Sequence, residues 1–162
     1  MNRLPSYIFR VAGLLVLSIY GLSCRTKQVF PPEPQIKFIF LEPSEIKALS
    51  GSFDIEISYQ DGDGDLGSDN SDEKNFFIID NRQNLPDSVR TFSYSLPNLS
   101  SNARNPSIQG KIKVKVPLAL SSSFFPPYPL PVREETDFTV YLVDRKGNKS
   151  NVLITTKVAI LP

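Results

Sequence analysis

Asp61-Gly62-Asp63-Gly64-Asp65-Leu66-Gly67 puts three carboxylates on alternate positions with glycines between them. Gly and Asp are among the poorest strand formers, and like charges this close repel. The stretch before it, Phe53 to Tyr59, and the one after it, Asn75 to Ile79, both read as strands. The acidic run is therefore a loop between two strands, and something has to neutralise it. A hard cation fits, because Ca²⁺ takes six to eight oxygen ligands and tolerates irregular geometry.

The flanking segments read as β structure to the end of the chain. Ile36 to Phe40 forms a short first strand. Phe53, Ile55, Ile57 and Tyr59 alternate with Asp54, Glu56 and Ser58, the period of two of a half-buried antiparallel strand. Asn75 to Asp80 is more continuously apolar, as in a central strand, and Val89 to Ser95 alternates weakly. Lys111, Lys113 and Lys115 share one face of a strand, with Ile112, Val114 and Val116 on the other. Phe138 to Val143 and Val152 to Ile160 complete seven strands. Pro43 to Leu49 is the only candidate for a turn of helix. The 14 prolines fall mainly between these runs, consistent with their exclusion from central strands. Seven short strands point to an all-β, immunoglobulin-like antiparallel sandwich over residues 36–162.

The N-terminal residues read differently. Arg3 and Arg10 bracket a positive start, and Val11 to Tyr20 is apolar. Ten helical residues span about 15 Å, half of a bilayer core, which suits a secretory signal better than a membrane span. Gly21-Leu22-Ser23 then precedes Cys24, the sole cysteine. This resembles a bacterial lipoprotein signal, which implies cleavage after residue 23 and lipid modification of Cys24. Gly21 stands where that pattern prefers Leu, so the match is to a relaxed form. Residues 24–35 carry Pro31, Pro32 and Pro34 without periodicity and read as an extended tether. The expected location is the outer membrane, through the lipid, with the periplasmic or surface face open.

Composition removes several classes of function. Of 18 Lys+Arg, Arg3 and Arg10 lie in residues 1–23, so the rest of the chain holds 16 against 17 Asp+Glu. No basic footprint for nucleic acid remains. Histidine is absent, which removes imidazole bases and the usual zinc ligand sets. Glu134 and Glu135 are adjacent and would point opposite ways in a strand, unlike the facing pair a carboxylate-based hydrolase needs. The expectation is a non-enzymatic protein.

Asp61, Asp63 and Asp65 fit positions one, three and five of an EF-hand loop, with Asp72 at twelve. Leu66 stands where that loop needs Gly, position twelve is not Glu, and strands flank the run, so it is not an EF-hand. It is a DxDxD loop, with Asp69 and Asp72 as further ligand candidates. Asp144 to Asn151 reads as a hairpin turn, with Gly147 or Asn148 at positive φ. In an immunoglobulin-like sandwich this turn lies at the same end as the acidic loop, so Asp144 could complete a Ca²⁺ site. Two alternatives stand beside it: a solvated Asp-Gly turn, and direct neutralisation by Arg145 and Lys146.

These two motifs, Tyr59 to Gly67 and Phe138 to Asn151, resemble a family of uncharacterised Bacteroidetes-type lipoproteins with an immunoglobulin-like sandwich. The resemblance implies export and a sandwich, and no reaction. A second surface feature is Phe124-Phe125-Pro126-Pro127-Tyr128, in the long linker between Pro117 and Glu135. Phe124, Phe125 and Tyr128 are candidate contacts for a protein partner or a sugar ring. The expected function is a structural or interaction module of the cell envelope with a calcium-stabilised loop. The alternative is a glycan-binding accessory lipoprotein of a polysaccharide-uptake system.

Overall fold

A computed structural model describes residues 30–47, 51–83, 86–100, 107–117 and 133–161. Ten strands are present among the described residues: β1 (Gln35–Glu42), β2 (Glu45–Lys47), β3 (Ser52–Asp61), β4 (Phe76–Asp80), β5 (Thr91–Tyr94), β6 (Ile108–Pro117), β7 (Glu134–Thr136), β8 (Phe138–Leu142), β9 (Leu153–Ile154) and β10 (Val158–Leu161). One layer has the order β1-β3-β6, antiparallel throughout. The other has β5-β4-β8-β9, and a separate three-stranded sheet has the order β2-β10-β7, with β10 antiparallel to β7 and parallel to β2. The chain is an all-β sandwich.

Seven strands were expected; the excess comes from β2 within Pro43–Leu49, from β7 ahead of Phe138, and from the division of the closing Val152–Ile160 run into β9 and β10. Pro43, which has no N–H for the ladder, follows β1; β1 pairs with β3, whereas β2 pairs in parallel with β10 in the separate three-stranded sheet. The segment from Pro43 to Leu49 thus carries a strand and not the helical turn its sequence suggests. Asp137 separates β7 from β8. The closing segment splits at Thr155, whose hydroxyl oxygen accepts from the Phe138 N–H at 3.0 Å while its own N–H donates to the Phe138 carbonyl. Helix α1, Asp87–Arg90, occupies the start of the weakly alternating Val89–Ser95 segment and is the only helix among the described residues.

The alternation in β3 and β6 does what period two requires. In β3, Phe53, Ile55, Ile57 and Tyr59 are buried, and in β6 Ile108, Ile112 and Val116 are buried. They meet Phe76 and Ile78 of β4 and Phe138, Val140 and Leu142 of β8 in one core. The Phe53 and Phe138 rings, one from each layer, have centroids 4.5 Å apart. Lys113 and Lys111, on the outward face of β6, pair with Asp54 and Glu56 of β3 at 3.0 and 3.2 Å. A further link joins the layers at the edge: the Asn151 amide accepts from the Ile36 N–H at 2.7 Å and donates to the Ile36 carbonyl at 3.0 Å.

At the far end of β4 the interior holds a charge. Asp80, 1% exposed, takes a two-pronged contact from Arg82 and a hydrogen bond from the Thr136 hydroxyl at 2.7 Å. Arg82 also donates to Glu134 at 2.9 Å, so Glu134 and Glu135 do diverge, Glu135 lying 4.0 Å from Lys157. Removing one partner of a buried pair leaves the other charge uncompensated and costs about 3–5 kcal/mol. Arg82→Met should destabilise the fold by that order in urea denaturation, whereas Lys111→Met, at an exposed pair, should cost about 1 kcal/mol or less.

Candidate metal centre

β3 does not stop alternating where the core ends. Asp61 is its last residue, paired opposite Ile108, and falls on the same face as Phe53, Ile55, Ile57 and Tyr59. Its carboxylate is therefore aimed inward, and the residue is 0% exposed. The chain then turns. Leu66, fully buried, anchors the loop in the core, which explains why a large apolar residue stands where an EF-hand needs Gly. Gly67 has φ +78°, and a Cβ there would lie 2.0 Å from the Pro97 carbonyl oxygen, so no other residue fits.

Neighbouring segments brace the loop through its backbone. Gly62 N–H donates to the Pro31 carbonyl at 2.8 Å, so the end of the proline-rich segment lies against the acidic run. Ser68 N–H donates to the Leu96 carbonyl and Leu99 N–H to the Leu66 carbonyl, both at 3.0 Å. From the turn after β8, Arg145 donates through its guanidinium to the Gly67 carbonyl at 2.9 Å and through its N–H to the Asp65 carbonyl at 3.2 Å.

Asp61, Asp63 and Asp65 each bring one carboxylate oxygen within 4.8 Å of the others. Oxygens bound to one Ca²⁺ at 2.3–2.6 Å are at most about 5 Å apart, so this spacing suits a shared ion. Neither oxygen of Asp61 and neither of Asp65 has a hydrogen-bond partner, nor does Oδ1 of Asp63. Lys146 alone brings a cationic side chain to the three carboxylates among the described residues. It hydrogen-bonds Oδ2 of Asp63 and lies 3.4 Å from Oδ2 of Asp65, close enough for an ion pair but without hydrogen-bond geometry.

The proton affinities follow from this arrangement. Burial, then the charges of Asp63 and Asp65, push the Asp61 carboxyl up to about 6. Burial and the neighbouring Asp144 and Asp63 raise Asp65 as well. For Asp63 burial, the largest single influence, acts in the same direction, but the hydrogen bond and charge of Lys146 and the contacts with Asp65 and Asp61 together outweigh it, and the carboxyl is lowered. The cluster is short of positive charge, and either a proton on Asp61 or a bound cation relieves it.

Of the other expected ligands, Asp144 reaches this end of the sandwich and is 4% exposed, but its carboxylate is occupied. Oδ1 accepts from the N–H groups of Lys146 and Asn148 at 2.9 and 2.8 Å, and Oδ2 from the Asn148 amide at 2.8 Å. Asp144 thus shapes the turn, with Gly147 at φ +86° as the left-handed residue. Asp69 and Asp72 are exposed and stand outside the three-carboxylate group; Asp69 accepts from the Asn98 amide at 3.0 Å. Arg145 and Lys146 divide the neutralising role expected of them: Lys146 meets carboxylates, and Arg145 meets loop carbonyls, Asn98 and Ser100. Cys24, Phe124, Phe125 and Tyr128 lie outside the described residues. The Asp80–Arg82–Glu134 group was not foreseen: Asp80 and Arg82 are only two residues apart, but Glu134 and Thr136 come from a distant segment, and no spacing pattern marks the set.

Without a cation, Asp61 binds its proton more tightly folded than unfolded. Its contribution to stability should therefore fall as pH rises from about 4 to above 6. Asp61→Asn removes the buried charge, so in EDTA at pH 7.5 it should be more stable than the parent, and the difference should vanish near pH 4. Urea midpoints across that range check this; a less stable variant at pH 7.5 would count against an uncompensated Asp61.

Comparison with family models, with curated proteins and with solved structures finds no match for this chain.

Proposed function

We propose that the protein is a lipid-anchored component of the cell envelope, with a β-sandwich that acts as a non-enzymatic structural or interaction module. In this reading a Ca²⁺ ion bound by Asp61, Asp63 and Asp65 stiffens the end of the sandwich at which the proline-rich segment enters. The observation that carries the metal is the buried Asp61 carboxylate, with both oxygens unpartnered beside two more carboxylates. An isolated ionised carboxylate is not tolerated in a protein interior; it is protonated, paired or bound to a metal. Ca²⁺ is favoured over Mg²⁺ because it tolerates irregular oxygen geometry, whereas Mg²⁺ demands a near-octahedral one.

The envelope anchor rests on the sequence: a short apolar run with a positive start, small residues, and then the sole cysteine, Cys24. The non-enzymatic character is supported by chemistry: no histidine exists to activate a nucleophile, and the buried acid at the far end of β4 is already neutralised by Arg82.

A cation that binds only the folded state stabilises it by about 2.7 kcal/mol at a hundredfold excess over Kd. For a chain of this size that is a rise in Tm of roughly 5–10 °C. The full-length chain in detergent should show it on passing from EDTA to millimolar Ca²⁺, and Asp63→Asn should abolish it. An unchanged Tm would refute the metal. Separately, Cys24→Ser should stop incorporation of labelled palmitate and release the protein from the membrane fraction; unchanged labelling would remove the anchor.

A further inference from the structure

We propose that Lys146 is an internal competitor for the cation. Its ammonium occupies the mouth of the Asp61–Asp63–Asp65 site, and a divalent ion binds by displacing it. The inference rests on the Ca²⁺ reading above and adds what sets the affinity of that site. Lys146 reaches Oδ2 of both Asp63 and Asp65, atoms on the same carboxylates that bound the proposed site. An ammonium and a Ca²⁺ ion cannot both sit among three carboxylates a few ångströms across without strong repulsion.

Three features suit the side chain to being displaced. It is 61% exposed, so it moves into water without leaving a cavity. Its backbone stays fixed when the side chain leaves, because the Asp144 carboxylate holds the N–H groups of Lys146 and Asn148, and Arg145 ties the same turn to the loop. One ammonium also leaves much unsatisfied: both oxygens of Asp61, which is fully buried, and Oδ1 of Asp63 face no donor. A single positive charge at the rim serves the outer carboxylates, and the buried one still lacks a partner. The exchange keeps the cluster partly neutralised before an ion arrives and lowers the apparent affinity for it.

The comparison is with Lys149, three residues along. Its ammonium lies over the Tyr141 ring, 3.7 Å from the centroid, and pairs with none of the three carboxylates in the described contacts. Lys149→Met removes the same charge from the same turn without freeing the site.

Calorimetric titration of the full-length protein with CaCl₂ tests the proposal. Lys146→Met should bind Ca²⁺ about fivefold or more tightly than the parent, and Lys149→Met should be close to it. In EDTA, Lys146→Met should melt below the parent, and saturating Ca²⁺ should erase the deficit. An ion pair that merely supports the fold would leave the deficit in both conditions. Binding by Lys146→Met where the parent shows none would support displacement outright. Equal or weaker binding by Lys146→Met, or equal tightening in both variants, overturns the competitor while leaving the Ca²⁺ site intact. Absence of binding in all three proteins removes the site itself, and the competitor with it.

Discussion

An alternating strand cannot change face where the core ends, and in β3 this rule ties the apolar interior to the acidic loop. Phe53, Ile55, Ile57 and Tyr59 pack on β4 and β8, and the next inward position belongs to Asp61. A one-residue slip in the pairing of β3 with β6 would free Asp61 from burial, but would expose the whole apolar face of the strand. Burying several large side chains is worth roughly 1.5–3 kcal/mol each. The core therefore dictates the register, and the buried carboxylate is its consequence. The loop that follows is held by Leu66 in the core and by bonds to its backbone, so the carboxylates cannot simply swing apart.

The two ends of the sandwich treat buried acid in opposite ways. At Asp80 the charge is matched inside the fold: a guanidinium chelates it and a hydroxyl adds a bond, and Arg82 is itself only 9% exposed. At Asp61 three carboxylates lie together, and the largely exposed Lys146 ammonium beside them reaches only Asp63 and Asp65. An exposed ammonium–carboxylate pair contributes too little to offset burial of an unpaired charge. The first arrangement is closed. The second lacks an internal partner that a proton or a cation could supply, and that asymmetry separates a structural ion pair from a candidate metal site.

The surroundings of the acidic loop extend the consequence to the rest of the module. Segments preceding β1, following β5 and following β8 all bond to it. A bound ion would stiffen not one turn but the junction of the proline-rich segment with both layers. Charge on the loop and order at that junction are in this sense one property.

Much of this was legible in the residue order. Period two in Phe53–Tyr59 and Phe138–Leu142 fixed the inward faces, and the DGDGD run marked the acidic loop, since both are local patterns. The inward aim of Asp61 was also readable, by extending the parity of β3 two places. What the sequence did not reveal was where paths break. The crossing of Glu45–Lys47 to β10, the interruption at Asp137 and the split at Thr155 depend on which strand edges lie open nearby, and that is a property of the assembled layers. The division among candidate ligands was likewise tertiary. Asp61, Asp63 and Asp65 converge because the loop folds back on Leu66. Asp69 and Asp72 stay in solvent, and Asp144 is taken up by the N–H groups of its own turn. Residue type and spacing determined that this chain is a β-sandwich with an acidic loop. Only the packing of one turn against another decided which carboxylates are left without a partner, because hydrogen-bond satisfaction depends on distances between segments far apart along the chain.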